Sequence, residues 1–289
     1  MALARRLDKT TCRANISPAA KEEQADATPL AKDRKRPVTG DLFRLSGLSL
    51  TYPNGTRALD HVDLSVAVGE FLSLLGPSGC GKSTILRLVA GLMEPTGGRL
   101  DWLQPVARGD IGFVFQEPTL MPWARIIDNV RLPLDLAGVP RGEGDERAAS
   151  GLARVGLGDF LKAFPAELSG GMKMRASLAR ALVTNPRLLL LDEPFAALDE
   201  ITRLKLNDDL LSLWQAQRFT ALFVTHSVFE SVYLSGRIAI MGPRPGRMVA
   251  DMPVDLPYPR DLSVRTGPDY GAICRDVSDR LHAAMGAAA

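Results

Sequence analysis

Residues 71–90 read FLSLLGPSGCGKSTILRLVA. A short apolar run enters a glycine loop, and the loop opens a helix expected over Ser83 to Ala90. The loop GPSGCGKST, residues 76–84, fits G-x-x-x-x-G-K-[ST]. Its glycines let the backbone curl until successive N–H groups face one anion. Lys82 then sets a cation against the outer phosphates of a nucleotide, and the Ser83 hydroxyl can ligate Mg2+. The candidate binding set is Gly76, Pro77, Ser78, Gly79, Cys80, Gly81, Lys82, Ser83 and Thr84. Cys80 sits near a helix N-terminus, where a thiol pKa tends to fall. The plainer reading is that it fills a tolerant position.

The rest of the chain supplies what such a loop needs around it. LSLTYP and VDLSVAV alternate with period two, and read as antiparallel strands with one buried face. IGFVFQ alternates Ile111, Phe113 and Phe115. From about residue 125 to 182 the pattern is helical and broken by Gly and Pro. Three apolar runs follow, RLLLLDEP, TALFVTH and RIAIM. Between the first two lies a helix with Leu206, Leu210, Leu213 and Trp214 on one face. Strands alternating with helices predict a parallel α/β sheet. A last helix is expected over 270–285, with Ile273, Val277, Leu281 and Met285 at helical spacing.

The run of four leucines ends in Asp192 and Glu193, which puts both acids at the carboxyl end of a buried strand. Ligands bind at that edge in open parallel sheets. Asp192 suits Mg2+, and Glu193 suits polarisation of an attacking water. His226 follows another apolar run and shares the edge, where it could reach the γ-phosphate or hold the water. Gln116 ends IGFVF at a comparable place and could sense Mg2+ or water.

Composition narrows the setting. The chain has 289 residues, with 35 Lys/Arg and 33 Asp/Glu. Residues 1–40 hold nine and five of these, which leaves a body of 26 and 28 that is close to neutral. A basic nucleic-acid face is not suggested. The tail, with its KDRKRP run, reads as a solvated, disordered extension. Three cysteines, far apart, suit free thiols in a reducing compartment better than a disulfide or zinc framework. No apolar run approaches the roughly 20 residues that span a bilayer. The first residues lack the apolar core of a secretory signal. A cytosolic protein is expected, with any membrane role exercised through a partner.

A second glycine motif lies about ninety residues after the first. ELSGGMKMRASLARAL, residues 167–182, places Ser169, Gly170 and Gly171 before a helix whose Met172, Ala176, Ala179 and Val183 share a face. Ser169 could serve simply as an N-cap. That accounts for the serine but not for two glycines, which weaken a first turn. Free N–H groups at a helix start make an anion site.

Taken together, these pieces resemble the ATP-binding cassette (ABC) transporter ATPases over about residues 41–245. GPSGCGKST looks like the family's Walker A loop, LLLLDEP its Walker B strand and FQ at 115–116 its Q-loop. LSGG at 168–171 looks like the signature, ALD at 197–199 the D-loop, and VTH the switch histidine. Met172 stands where Gln is common and Ala196 where Ser is common. The resemblance implies a RecA-like P-loop core with an antiparallel β subdomain and a helical subdomain near 117–182. It also implies ATP and Mg2+, with Tyr52 stacking on adenine and Asp199 beside the nucleotide. Two copies would dock head to tail, so that Ser169, Gly170 and Gly171 bind the γ-phosphate held by the other chain.

VFQEPTLMPWARIIDNV, LSGGMKMR and RPGRMVADMPVDLPYPR look closer still to the importer ATPases for nitrate, sulfonate and taurine. That likeness implies a peripheral subunit on the cytoplasmic side of the cell membrane. Its partners would be polytopic permease subunits and, indirectly, an extracytoplasmic solute-binding protein. Leu120, Met121, Pro122 and Trp123 would then form part of the groove gripping the permease, unless they pack on the chain's own helices. The domain reading is a tail over 1–40, an ATPase domain over 41–255 and a C-terminal extension over 256–289. The alternatives are a soluble ABC-type ATPase of DNA repair or translation, and a binding module without turnover. Intact Lys82, Asp192, Glu193 and His226 argue against the last.

Overall fold

A computed structural model describes residues 40–286. The expected disordered tail, with Cys12 and the KDRKRP run, lies outside the described residues apart from Gly40. Strands β1 (Asp41–Thr51) and β2 (Arg57–Ala67) pair antiparallel, and β4 (Gly97–Trp102) adds to the other side of β1. Strands β3 (Phe71–Leu75), β5 (Ile111–Val114), β6 (Leu188–Asp192), β7 (Thr220–Thr225), β8 (Arg237–Met241) and β9 (Met248–Pro253) form a six-stranded sheet. Its order is β5-β6-β7-β3-β8-β9, parallel except for β9. The class is α/β, a P-loop core beside an antiparallel sheet.

Every residue of β3, β6 and β7 is buried. Successive side chains of a strand point to opposite faces, so a strand covered on both sides reads as a continuous apolar run. Phe71, Leu75, Leu191, Phe223 and Ile240 face α4 (Gly170–Leu182), α5 (Glu200–Gln217) and α6 (Val228–Leu234). Leu72, Leu74, Leu190, Val224 and Met241 face α1 (Lys82–Val89) and the antiparallel sheet. A further apolar cluster joins α2 (Ile126–Leu136), α3 (Arg141–Arg154) and α4 through Ile126, Val130, Leu152, Ala176 and Ala179.

Two periodicity readings need correction. In β5 the fully buried side is Gly112 and Val114, whereas Ile111, Phe113 and Phe115 are only half-buried. The reason is that α4 lies directly on Gly112, where an added Cβ would meet Ala181 O at 2.5 Å. After the short α7 (Leu262–Thr266), the last helix is α8 (Pro268–Gly286). Its buried stripe is Tyr270, Cys274, Val277 and Ala284, with Ile273 and Leu281 half-buried at the margin. Met285 is exposed, on the other side of the helix from its buried neighbour Ala284.

The segment leading to α8 is fastened by an unusual residue. Arg260 is buried and donates to the carbonyls of Val232 and Tyr233 at 2.9 Å, Ser235 at 3.0 Å and Leu256 at 2.8 Å. Its guanidinium lies over the Tyr258 ring, 4.0 Å from the centroid. Three of these carbonyls close the end of α6, where helical carbonyls lack partners of their own. Replacing Arg260 with Met should lower the unfolding free energy by about 2–4 kcal/mol, because buried acceptors lose charged donors. Urea denaturation followed by circular dichroism measures this. A change below about 0.5 kcal/mol would show that water satisfies the carbonyls instead.

Candidate active site at the carboxyl edge of the sheet

The five parallel strands all end on one side, and each releases a polar segment there. The loop after β3 wraps into α1 with Gly79 and Gly81 at positive φ (76° and 102°). Glycine adopts such angles without a Cβ penalty. The loop is also tightly boxed. A Cβ on Gly81 would meet Leu59 Cδ2 at 2.6 Å, and one on Gly76 would meet Met241 O at 2.8 Å. Lys82 is buried at the helix start, with Nζ 2.9 Å from Gly76 O and 3.1 Å from Pro77 O.

Asp192 closes β6, and the Ser83 hydroxyl donates to it at 2.7 Å. Burial pushes the Asp192 carboxyl above the usual range, while the Ser83 hydrogen bond works against that shift. Glu193 follows with φ of 44°, an uncommon angle for a side-chain-bearing residue. Its amide donates to Val224 O on β7 at 3.0 Å, which holds the turn. The carboxylate then spans two partners. Oε1 lies 3.4 Å from Lys82 Nζ, and Oε2 lies 3.0 Å from Nδ1 of His226, the first residue after β7. Strained residues of this kind cluster at functional sites.

A cleft of about 320 Å³ is lined by Tyr52, Ser78, Gly79, Lys82, Ser83, Thr84, Gln116 and Glu193, together with Ala58, Gly81 and Arg244. Asp192 and His226 do not line it and meet it through their bonds to Ser83 and Glu193. Tyr52 is half-buried at its side, its hydroxyl 3.1 Å from Thr84 Oγ1. The donor set around Ser83, Asp192 and Gln116 is a hydroxyl, a carboxylate and an amide oxygen. These are hard ligands that suit Mg2+, an ion that commonly takes one or two carboxylates and completes its shell with phosphate and water. Among the described residues no group of three or more His, Cys, Asp or Glu could hold a metal unaided.

The structure does not gather every expected residue here. Cys80 is 1 % exposed, turned into the apolar cluster under the loop, and burial pushes its thiol up rather than down. The expectation of a lowered pKa at this helix start is therefore overturned, because desolvation outweighs the nearby Lys82. Ser169, Gly170 and Gly171 do not line the cleft. Ser169 caps α4, accepting from Met172 N at 3.3 Å. Asp199 does not line the cleft either. It caps α5, accepting from Thr202 N at 2.9 Å, and that bond draws its carboxyl below the ordinary range. Trp123 is 77 % exposed, so it does not pack on the chain's own helices, whereas Leu120 does so in part.

Two lining residues, Ala58 and Arg244, escaped the sequence reading, and of these Arg244 is the charged one. Arg244 follows β8, the fifth parallel strand, and its Nε donates to Gly79 O at 3.2 Å. RIAIM marks the strand, but nothing in the pattern marks the arginine three residues beyond it.

A phosphate loop after β3, with an acid pair at the same sheet edge after β6, two strands away, defines a P-loop nucleotide hydrolase. Residues 59–196 match the ABC transporter family model. An ABC transporter ATP-binding protein of Methanocaldococcus jannaschii is 48% identical over 211 residues, covering 72% of this chain and 79% of the relative. An aliphatic sulfonates import ATP-binding protein of Rhodopseudomonas palustris is 46% identical over 222 residues, 76% of this chain and 77% of the relative. A dimeric ATP-binding cassette solved in a post-hydrolysis state with ADP and Pi superposes with a TM-score of 0.65 at 32% identity, covering 74% of this chain and 99% of that one. The chain belongs to the ABC transporter ATP-binding family. It is the ATP-hydrolysing subunit of such a transporter, and the repair or translation alternative is not favoured.

The burial of Cys80 has a direct consequence. In the folded protein, maleimide labelling of Cys80 should run at least about ten-fold slower than in urea, since a buried thiol is inert. Peptide mapping by mass spectrometry measures both rates. Equal rates would mean that the loop opens far more readily than its packing allows.

Proposed function

We propose that this ATPase powers uptake of a small anionic solute of the sulfonate, nitrate or taurine kind. It would work as a homodimer on the cytoplasmic face of polytopic permease subunits, which an extracytoplasmic solute-binding protein loads. The observation that carries the reading is a split site. Lys82, Glu193 and His226 stand together in one chain, while the exposed Ser169 and Gly170 of the signature lie off that cleft. A second copy, docked head to tail, supplies what one chain lacks. The dimeric form of the solved cassette, the name of the Rhodopseudomonas relative and the RPGRMVADMPVDLPYPR stretch all support this assignment. No described helix is long and apolar enough to cross a membrane, which suits a peripheral subunit.

In this scheme the loop amides and Lys82 bind the phosphates, and Tyr52 stacks on adenine. Ser83, Asp192 and Gln116 hold Mg2+, which when bound offsets charge on the phosphate oxygens. Glu193 accepts the proton of the attacking water as general base. His226, 3.0 Å away, fixes the orientation of that carboxylate. The signature amides of the partner copy contact the γ-phosphate, so ATP joins the two chains and hydrolysis lets them part.

Changing Glu193 to Gln should slow hydrolysis about 10²–10⁴-fold, the usual worth of a general base. ATP binding should survive, and light scattering should find an ATP-dependent dimer. A variant that stays monomeric at saturating ATP, both in solution and within the membrane complex, would sink the split-site reading. A second outcome concerns the exposed Trp123. Trp123→Ala should abolish solute uptake in proteoliposomes while ATPase activity of the isolated subunit stays within about two-fold, because an exposed side chain adds little to folding. Joint loss of both activities would assign Trp123 to the fold instead. Uptake assays with sulfonates, nitrate and taurine decide the cargo.

A further inference from the structure

The stretch RPGR, residues 244–247, is conspicuous in sequence and has no binding or catalytic role in the scheme above. Its four residues lie in the loop between β8 and β9. The backbone there is fastened at both ends of Gly246, whose amide donates to Ala58 O at 2.9 Å and whose carbonyl accepts from Asp60 N at 3.0 Å. Gly246 also lies so close to the phosphate loop that a Cβ would fall 2.0 Å from Cys80 O. No other residue type fits between those two strands of chain.

The two arginines of the stretch have different surroundings. Arg247 is paired, with Nε 2.7 Å from Asp60 Oδ2. Asp60 also takes contacts from Arg57 and His61, and its hydrogen bonds with His61 and then Arg247 hold its carboxyl down at about 2. Arg244 has no carboxylate partner among the described residues. Its Nε is spent on Gly79 O at 3.2 Å, and Nη2 stands 3.3 Å from where a Gly79 Cβ would be. The guanidinium therefore lies over the phosphate loop, on the cleft that Lys82 and Ser83 also line.

A cation without a counter-charge, placed by a fastened loop beside an anion cradle, is a feature that calls for an anion. The strand order makes the same point. Four of the five parallel strands feed a segment to this edge that the scheme already uses, after β3, β5, β6 and β7. Arg244 is what the fifth, β8, delivers. We propose that Arg244 is a further nucleotide-binding residue, which holds the phosphate chain of ATP or ADP together with the buried Lys82. Nε stays on Gly79 O, while the terminal N–H groups bond phosphate oxygens. Arg247, Asp60 and Gly246 are positioning residues that keep the loop in reach. This goes beyond the proposed scheme and rests on its placement of nucleotide phosphates in the loop.

The test compares wild type with Arg244→Ala, Arg244→Lys and Lys82→Ala, using a fluorescent ATP analogue and unlabelled ATP and ADP by titration. Arg244→Ala should weaken ATP and ADP alike by about 5–30-fold, as expected of one partly exposed charged contact. Arg244→Lys should recover part of the loss. The affinity of Arg244→Ala should also depend less steeply on salt than that of wild type. Thermal unfolding without nucleotide should stay within about 1 °C, since Arg244 is exposed and its one hydrogen bond is at the surface. An affinity within two-fold of wild type while Lys82→Ala abolishes binding would overturn the proposal and leave the site reading intact. Weakened binding together with a lowered nucleotide-free melting point would also overturn it, since Arg244 would then serve the loop's fold. If Lys82→Ala itself bound normally, the placement of the phosphates would fail, and this proposal with it.

Discussion

The hydrogen-bond saturation of β3 is the constraint on which the molecule turns. The strand pairs with β7 on one side and β8 on the other, residue for residue from Phe71 to Leu75 against Ala221 to Thr225. Apolar side chains cover both of its faces. A strand so enclosed has no free backbone group until it leaves the sheet. Its first unpaired amides are those of the loop after Leu75, where the curled backbone directs them at a single point. The same enclosure holds for β6 and β7, so the polar residues they can offer are also confined to their carboxyl ends. Asp192, Glu193 and His226 share an edge because the apolar interior leaves them nowhere else to go.

Most of this was legible in the sequence, for a physical reason. A doubly covered strand demands an unbroken apolar run, and FLSLL, LLLL and TALFVT carry that demand in plain form. The glycines of the loop were equally legible, since Gly79 and Gly81 occupy backbone angles that other residues resist. What stayed hidden depends on which neighbour covers a face. β5 lies at the sheet margin under α4, and the hydrophobic alternation of Ile111, Phe113 and Phe115 does not say that Gly112 takes the close contact. At Cys80 the helix-end rule is local, whereas burial in the apolar cluster under the loop is set by residues far away in sequence, and the plainer reading of a filled position was the better one. Arg244 was missed because a lone arginine in a loop carries no pattern.

The two glycines of the signature part company on inspection. A Cβ on Gly171 would stand 2.7 Å from Thr202 Cγ2, so its smallness is explained by packing against the first turn of α5. The capping reading, extended by that contact, covers Ser169 and Gly171. Gly170 is different. A Cβ there would meet only Leu198 Cδ2 at 3.6 Å, an ordinary contact. Its absence of a side chain has no use inside the chain, and it lies exposed at a helix start. That is where close approach by an outside anion would require a bare backbone.

Lys82, Glu193 and His226 form a linked set within the chain. Lys82 is buried, and an unpaired ammonium there would be costly. The carbonyls of Gly76 and Pro77 and the carboxylate of Glu193 share it. Glu193 in turn is divided between Lys82 and His226, on a backbone turn that β7 holds in place. Phosphates entering the loop would compete with Glu193 for Lys82, and an anion that draws Lys82 away leaves the carboxylate its contact with His226. The ammonium keeps a counter-charge throughout the exchange. Such an exchange would let the carboxylate change neighbours without moving its backbone, which gives the strained turn at that residue a physical use.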